Sequence, residues 1–215
     1  VYDFANDLSS VYMDVTKDRL YSEAPASRRR RAVQTVLMNV LEVLVRVMAP
    51  ILSFTCDEVW ECYPPASRGV AGRPDSVQLA GWPRAADFVP SFSADDAEQA
   101  LRAFAPAIEA REAVTKALEE ARAAKAINKS QEASIALTAP ADALPALEAV
   151  GCEALADLFI VADVAVSEGD GYAATVSPAA GAKCERCWNY RELGVADGHP
   201  DVCARCAEVL DGAAR

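Results

Sequence analysis

The chain has 215 residues, 52% of them apolar and 25% charged, with 21 Lys+Arg against 32 Asp+Glu and a net charge of -11. That length suits one or two domains with true cores, and the composition is that of a globular chain rather than a disordered one. The acidity excludes a generally basic nucleic-acid coat, although it leaves local basic patches open.

Residues 2–21 carry Phe4, Leu8, Val11, Tyr12, Val15 and Leu20. This spacing predicts an amphipathic helix already under way at the first residue, as expected for a piece of a longer protein. Ser22 to Ser27, with Pro25, reads as a loop, and Ser27 is placed to cap the next helix. There Val33, Val36, Leu37, Val40, Leu41, Leu44, Val47 and Met48 follow the i, i+3, i+4, i+7 pattern, predicting one wide buried stripe. Pro50 ends that helix because it lacks an amide and clashes with the preceding turn. A further helix is expected from Ile51 to Tyr63, and three helices in short succession imply an antiparallel bundle.

Residues 64–93 are rich in Pro, Gly and Ser and read as a connection holding one short extended segment, 77–83. From Asp95 to Ile127 an Ala-, Glu- and Arg-rich stretch predicts a long helix, kinked at Pro106. Its alternating charges read better as a salt-bridged exposed face than as a phosphate-binding one. Ala133 to Thr138 alternates like a strand, Leu144 to Leu158 reads as short helices around Gly151, and 159–166 and 172–176 are strand-like. The chain is thus divided into 1–93, 94–130, a small α+β unit at 131–181, and a tail at 182–215.

The apolar run 33–54 is broken by Asn39, Glu42, Arg46 and Pro50, so no membrane span is predicted. No cationic leader followed by an apolar core opens the chain, so a cytoplasmic protein without membrane partners is expected.

Seven cysteines fall into two groups. Cys56, Cys62 and Cys152 sit among apolar neighbours and read as small buried hydrophobes. The others form Cys184-x-x-Cys187 and Cys203-x-x-Cys206, fifteen residues apart, which is a zinc spacing. Each pair can aim two thiolates at one point, and together they complete a tetrahedron around Zn²⁺. A disulfide pair or a redox dithiol fits less well without a secretory leader and with two matched turns. Four protein ligands leave no place for water, so one structural zinc is expected.

By segment, residues 1–63 hold 7 basic and 9 acidic groups, 64–181 hold 9 and 17, and 182–215 hold 5 and 6. The two ends are nearly neutral. In the first, Arg28, Arg29, Arg30 and Arg31 open a helix against its dipole, so the dipole does not explain them. Two readings stand: a phosphate-contacting corner, or a solvated helix start.

The strings DLSSVYMDVTKDRLY (7–21), RRAVQTVLMNVLEVLVRVMAPILSFTCDEVW (30–60) and SVQLAGWP (76–83) together resemble the anticodon-binding helical domain of bacterial isoleucyl-tRNA synthetases. REAVTKALEEARAAKAINKSQEASIAL (111–137) and CERCWNY with its second Cys-x-x-Cys resemble the isoleucine family specifically. Asn128 stands where that family usually has Gly, and Asn tolerates a left-handed turn.

The resemblance implies a mainly α fold: an antiparallel helical bundle of the class I synthetase anticodon-binding type, then a small α+β unit and a four-cysteine zinc knuckle. It implies a monomer that grips isoleucine tRNA by the anticodon stem-loop and works with the catalytic and editing domains of the same enzyme. The family's ATP-handling His-Ile-Gly-His-like and Lys-Met-Ser-Lys-Ser-like motifs are missing here, and the one histidine is His199. ATP would therefore act only in the full-length enzyme.

Unstacked anticodon bases are read by stacking on aromatics. Trp188 and Tyr190, beside Arg186 and Arg205, offer this, and Lys17 and Arg19 could reach phosphate with Arg28 to Arg31. Trp188 could equally be the knuckle's miniature core, and Lys17 and Arg19 could simply pair with Asp14 and Asp18. If 188–190 is extended, both rings share one face. Two other classes compete: a DNA-binding module, since formamidopyrimidine-type DNA glycosylases carry a similar knuckle, and a protein-interaction scaffold. A free-standing tRNA-binding protein is a further alternative.

Overall fold

The computed structural model describes residues 1–63, 73–88 and 93–213. Residues 64–72 and 89–92 of the Pro- and Gly-rich connection, Pro64 and Pro65 among them, lie outside the described residues. Backbone packing separates two compact units: residues Val1–Arg30 with Asp95–Arg215, and residues Arg31–Ala94. The first thirty residues thus pack with the C-terminal part of the chain, which chain order alone does not suggest.

The first unit opens with helical segments α1 (Tyr2–Asp7), α2 (Met13–Val15) and α3 (Lys17–Ser22), α1 and α2 being joined by a wide turn at Leu8–Tyr12. Thr16 interrupts the run between α2 and α3: its Oγ1 donates to the Tyr12 carbonyl at 2.7 Å, a back-bond that loosens a helix. Ser27 precedes α4 (Arg28–Met48), and its Oγ accepts from the Arg30 amide at 3.5 Å while donating to Glu23 Oε2 at 2.5 Å.

In the second unit α4 is followed by α5 (Ser53–Glu61), a 3₁₀ turn at Val77–Leu79, and α6 (Ala85–Phe88). Its core is Val45, Ala49, Cys56, Trp60, Tyr63 and Val77. The predicted wide buried stripe is only partly realised. Of the α4 residues Val33 and Val45 are buried, whereas Val36 and Leu41 are exposed. Within this unit the C-terminal half of α4 meets α5 and the 3₁₀ turn, which cover one flank of the stripe. The segment expected to be extended forms that turn instead, because Asp57 Oδ1 accepts from Ser76 Oγ and the Val77 amide.

The long helix α7 (Ala94–Ala123) runs through Pro106. Ala107, Ala110, Val114 and Leu118 are its buried face, at helical spacing. Among the described residues, Arg111, Lys116, Glu112, Glu119 and Glu120 form no ion pair, so the expected salt-bridged face is absent; Arg102–Glu98 is the helix's pair. The left-handed residue of the following turn is Lys125 (φ 59), not Asn128, whose amide instead donates to Glu132 Oε2 at 2.8 Å.

Strands β1 (Ala133–Ala139), β2 (Asp163–Glu168) and β3 (Ala173–Pro178) form a sheet of order β2-β1-β3. Helices α8 (Leu144–Val150) and α9 (Cys152–Phe159) lie between β1 and β2 in sequence, flanking Gly151 (φ 85). β1 pairs in parallel with β2 and antiparallel with β3, so it runs between the two strands linked by residues 169–172. That link passes so close to β1 that a Cβ on Gly169 would sit 2.8 Å from Thr138 Cβ. Burial alternates strictly along β1, with Ala133, Ile135, Leu137 and Ala139 facing α7, α8 and α9 residues in one core. Val15 of α2 packs against that same core. Of the three cysteines read as buried, Cys56 is, while Cys62 and Cys152 are exposed at helix ends. Among the described residues no helix is long and apolar enough to cross a membrane.

Candidate zinc centre and nucleic-acid interface

The tail begins at Gly181, whose φ of 86 and approach to the Arg191 carbonyl (2.5 Å from a built Cβ) leave room for glycine alone. Strands β4 (Ala182–Lys183) and β5 (Tyr190–Arg191) pair as a small hairpin around the first Cys-x-x-Cys. The second lies at the start of α10 (Ala204–Ala213), and an isolated bridge joins Leu193 to Cys203.

The Sγ atoms of Cys184, Cys187, Cys203 and Cys206 all lie within 4.8 Å of one another. Cys187 and Cys203 are 3.9 Å apart at sulfur, close to the edge of about 3.8 Å that a tetrahedron with 2.3 Å Zn–S bonds requires. Cys184, Cys203 and Cys206 are buried, with Leu193 and Val202 as their apolar cover. Burial alone would raise the Cys184 thiol, but backbone amides of Cys187, Cys203 and Arg186 outweigh it and bring it down to about 6. One sulfur is thereby readied for a cation, whereas burial pushes Cys187 up.

Trp188 is not part of the knuckle's core. It takes a left-handed φ of 64, its amide donates to the Cys184 carbonyl at 2.9 Å, and it is 56% exposed. The extended alternation considered for 188–190 therefore fails: Trp188 points to solvent while Tyr190 is half-buried. Lys183 Nζ lies 5.2 Å from the Trp188 ring centre.

Trp188 borders a cleft of about 540 Å³ within the first unit, together with Lys17, Tyr21, Lys129, Arg186 and Arg191. Asp14, Asp18 and Asp157 line it too. The basic candidates divide sharply in their partners. Arg19 reaches Asp157 at 3.0 Å, and Arg29 binds Asp157 and also Glu153 at 2.9 Å. Arg205 binds both oxygens of Asp18 at 2.5 and 2.8 Å, and Arg186 donates to the Ser22 carbonyl at 2.5 Å. Arg30 donates to the Glu23 carbonyl at 3.1 Å. Lys17 pairs with Asp14 in a largely exposed contact. Arg28 and Arg31 are exposed and form no ion pair among the described residues. Five candidate cations are thus committed to the frame of the unit.

Of the carboxylates that hold them, Asp157 and Glu153 of α9 escaped sequence reasoning, and Asp18 of α3, considered as a partner of Lys17 or Arg19, binds Arg205 instead; pairs so distant in the chain leave no periodic trace. One signal was available: Arg186 and Arg205 each lie inside a Cys-x-x-Cys loop.

Residues 1–137 match the family described as the anticodon-binding domain of tRNA ligase. The chain belongs to that family. Residues 181–209 match a second family, the zinc finger found in FPG and IleRS. With the four-sulfur cluster, this supports one structural Zn²⁺ in the anticodon-binding-family chain.

Isoleucine--tRNA ligase of Brevibacillus brevis is 42% identical over 215 residues, covering 95% of this chain and 22% of that protein. The Moorella thermoacetica enzyme of the same name is 39% identical, covering 96% of this chain and 23% of that protein. The Neisseria gonorrhoeae one is 37% identical, covering 97% of this chain and 21% of that protein. The chain spans less than a quarter of the length of these relatives.

Proposed function

We propose that this chain is the tRNA-gripping C-terminal portion of an isoleucine--tRNA ligase, reading the anticodon stem-loop of isoleucine tRNA. The observation that carries the reading is the exposed Trp188 ring at the border of a cleft edged by Lys17, Lys129 and Arg191. An unstacked base needs an aromatic face, and its phosphates need nearby cations. In this reading Cys184, Cys187, Cys203 and Cys206 hold the zinc, whose role when bound is to fix the knuckle that carries Trp188.

The candidate contacts are refined accordingly. Trp188, Lys17, Arg28 and Arg31 face the tRNA, with Lys183 supporting the ring. Arg19, Arg29, Arg30, Arg186 and Arg205 hold the frame, and Tyr190 is half-buried in the hairpin strand β5. ATP, isoleucine and editing belong to the remainder of the relatives' length, since neither ATP-handling motif occurs in this sequence. The protein acts in the cytoplasm as a monomer beside its catalytic and editing domains.

The zinc-finger family is described for FPG as well as IleRS, so the knuckle alone leaves a DNA-binding reading in play. A binding assay at fixed salt on the zinc-loaded chain separates the two, using isoleucine tRNA, a second tRNA and duplex DNA. Tightest binding to isoleucine tRNA is expected, with one zinc per chain. Removing the metal with a chelator should abolish the preference while the helical signal largely persists. Preference for duplex DNA overturns the proposal.

A further inference from the structure

Arg186 and Arg205 occupy equivalent positions, each inside one Cys-x-x-Cys pair. Arg186, from the first pair, has Nη1 3.5 Å from Cys206 Sγ of the second. Both arginines reach outward to the same short helix. Arg186 Nη1 donates to the Ser22 carbonyl at 2.5 Å, and Arg205 grips Asp18 through both terminal nitrogens. Both Cys-x-x-Cys turns are therefore tied to α3, and Arg186 also meets a sulfur.

We propose that this pair of arginines couples zinc retention to the N-terminal helix, so that Asp18 and Ser22 act as positioning groups for a metal site more than 160 residues away in sequence. Four thiolates around Zn²⁺ leave a net charge of -2, and three of these cysteines are buried. Uncompensated charge in such a place is costly. The Cys203 amide already reaches Cys184 Sγ at 3.4 Å. The Arg186 guanidinium, which pairs with no carboxylate among the described residues, brings positive charge to Cys206 Sγ, while Arg205, paired with Asp18, holds the second Cys-x-x-Cys turn against α3. Arginine suits this because its planar fork can serve two acceptors at once and is weakly hydrated. Groups that orient and compensate metal ligands typically govern metal affinity by about 10–100-fold.

The coupling runs both ways, because any linkage between two equilibria is reciprocal. Lys17, Asp18, Tyr21 and Ser22 line the cleft together with Arg186, so metal occupancy also fixes one wall of the cleft. This inference concerns the metal site itself and is tested without RNA, so it stands or falls separately from the tRNA reading.

The test is the rate of zinc release from the full chain into excess chromogenic chelator. R186M and R205M should each release zinc about 10–100-fold faster than the unsubstituted chain. D18N, which touches no sulfur, should accelerate release by a smaller factor. R102M serves as the control, since Arg102 is an exposed residue of α7 paired with Glu98; its rate should stay unchanged. R205K keeps the charge in a folded chain but cannot grip both oxygens of Asp18 with one planar group, and it too should release faster. Hydrogen exchange gives the reverse direction: stripping zinc should expose the amides of residues 17–22. Unaltered release from R186M and R205M, equal acceleration by R102M, or unchanged protection of 17–22 would each overturn the proposal.

Discussion

The guanidinium of Arg73 lies 3.7 Å from the centre of the buried Trp60 ring. It also sits 4.1 Å from Tyr63 and 3.3 Å from Glu42, which binds Arg46 at 2.5 Å as well. One carboxylate thus secures two arginines against the tryptophan at the heart of the second unit. Trp60 Nε1 donates to the Pro74 carbonyl at 3.0 Å, completing the enclosure. R73M keeps much of the apolar stem but removes the charge from ring and carboxylate alike. It should destabilise this unit by about 1–3 kcal/mol, read as a lower urea midpoint. An unchanged midpoint would remove the ring contact from the account of this unit's stability.

Tyr63, in the same cluster, gives a pH dependence. Burial, reinforced by the neighbouring Glu42 carboxylate and opposed by Arg73, pushes its phenol up to about 12. An acid whose pKa is raised by folding keeps its proton while the unfolded chain loses it. Stability is therefore intact below about pH 10 and declines from there to about 12, by about 2–3 kcal/mol in all. Tyrosinate absorbance followed alongside helical circular dichroism should show Tyr63 ionising together with loss of structure. Y63F should remove the alkaline decline in this unit.

These two expectations come from contacts that the sequence does not announce. The four cysteines were legible because zinc imposes a fixed spacing on short turns, and β1 was legible because its burial alternates. The helices were legible too, though the α4 stripe overstated burial: periodicity records which face is apolar, not how much of it a neighbour covers. Trp188 illustrates a second limit. Its neighbours look like a strand, yet the knuckle turn forces φ to 64 and turns the ring outward. The arginines show the third: a run such as 28–31 looks uniform, while the fold engages Arg29 and Arg30 and leaves Arg28 and Arg31 in solvent.

Asp157 is the carboxylate that decides which of these cations are engaged. Its side chain is 11% exposed and takes both Arg19 and Arg29. D157N leaves the two guanidiniums with a weaker, neutral acceptor, and should cost about 1–3 kcal/mol in the first unit. It should also release positive charge toward solvent. The slope of log affinity for tRNA against log salt should then steepen by about one, with tighter binding at low salt. A destabilised chain with an unchanged slope would mean that neither arginine comes within reach of phosphate once freed.

Trp188 is where stability and recognition separate. The ring is exposed, and Leu193 and Val202 cover the sulfurs in its place. W188A should therefore retain one zinc per chain and the melting behaviour of the unsubstituted protein. The left-handed backbone there disfavours Trp and Ala alike, so the substitution neither adds nor relieves much strain. What it removes is the stacking face, worth about 1–3 kcal/mol per base, or roughly 5–150-fold in affinity. W188F should recover most of that loss, because a smaller ring still offers a face. K183M should weaken binding less, its role being to hold the ring from one side. Affinity measured with isoleucine tRNA at one salt concentration, with zinc content taken on the same sample, checks each step. If W188A bound tRNA as tightly as before but shed its zinc, the ring would be a cover for the knuckle and the anticodon contact would have to be sought elsewhere in the cleft.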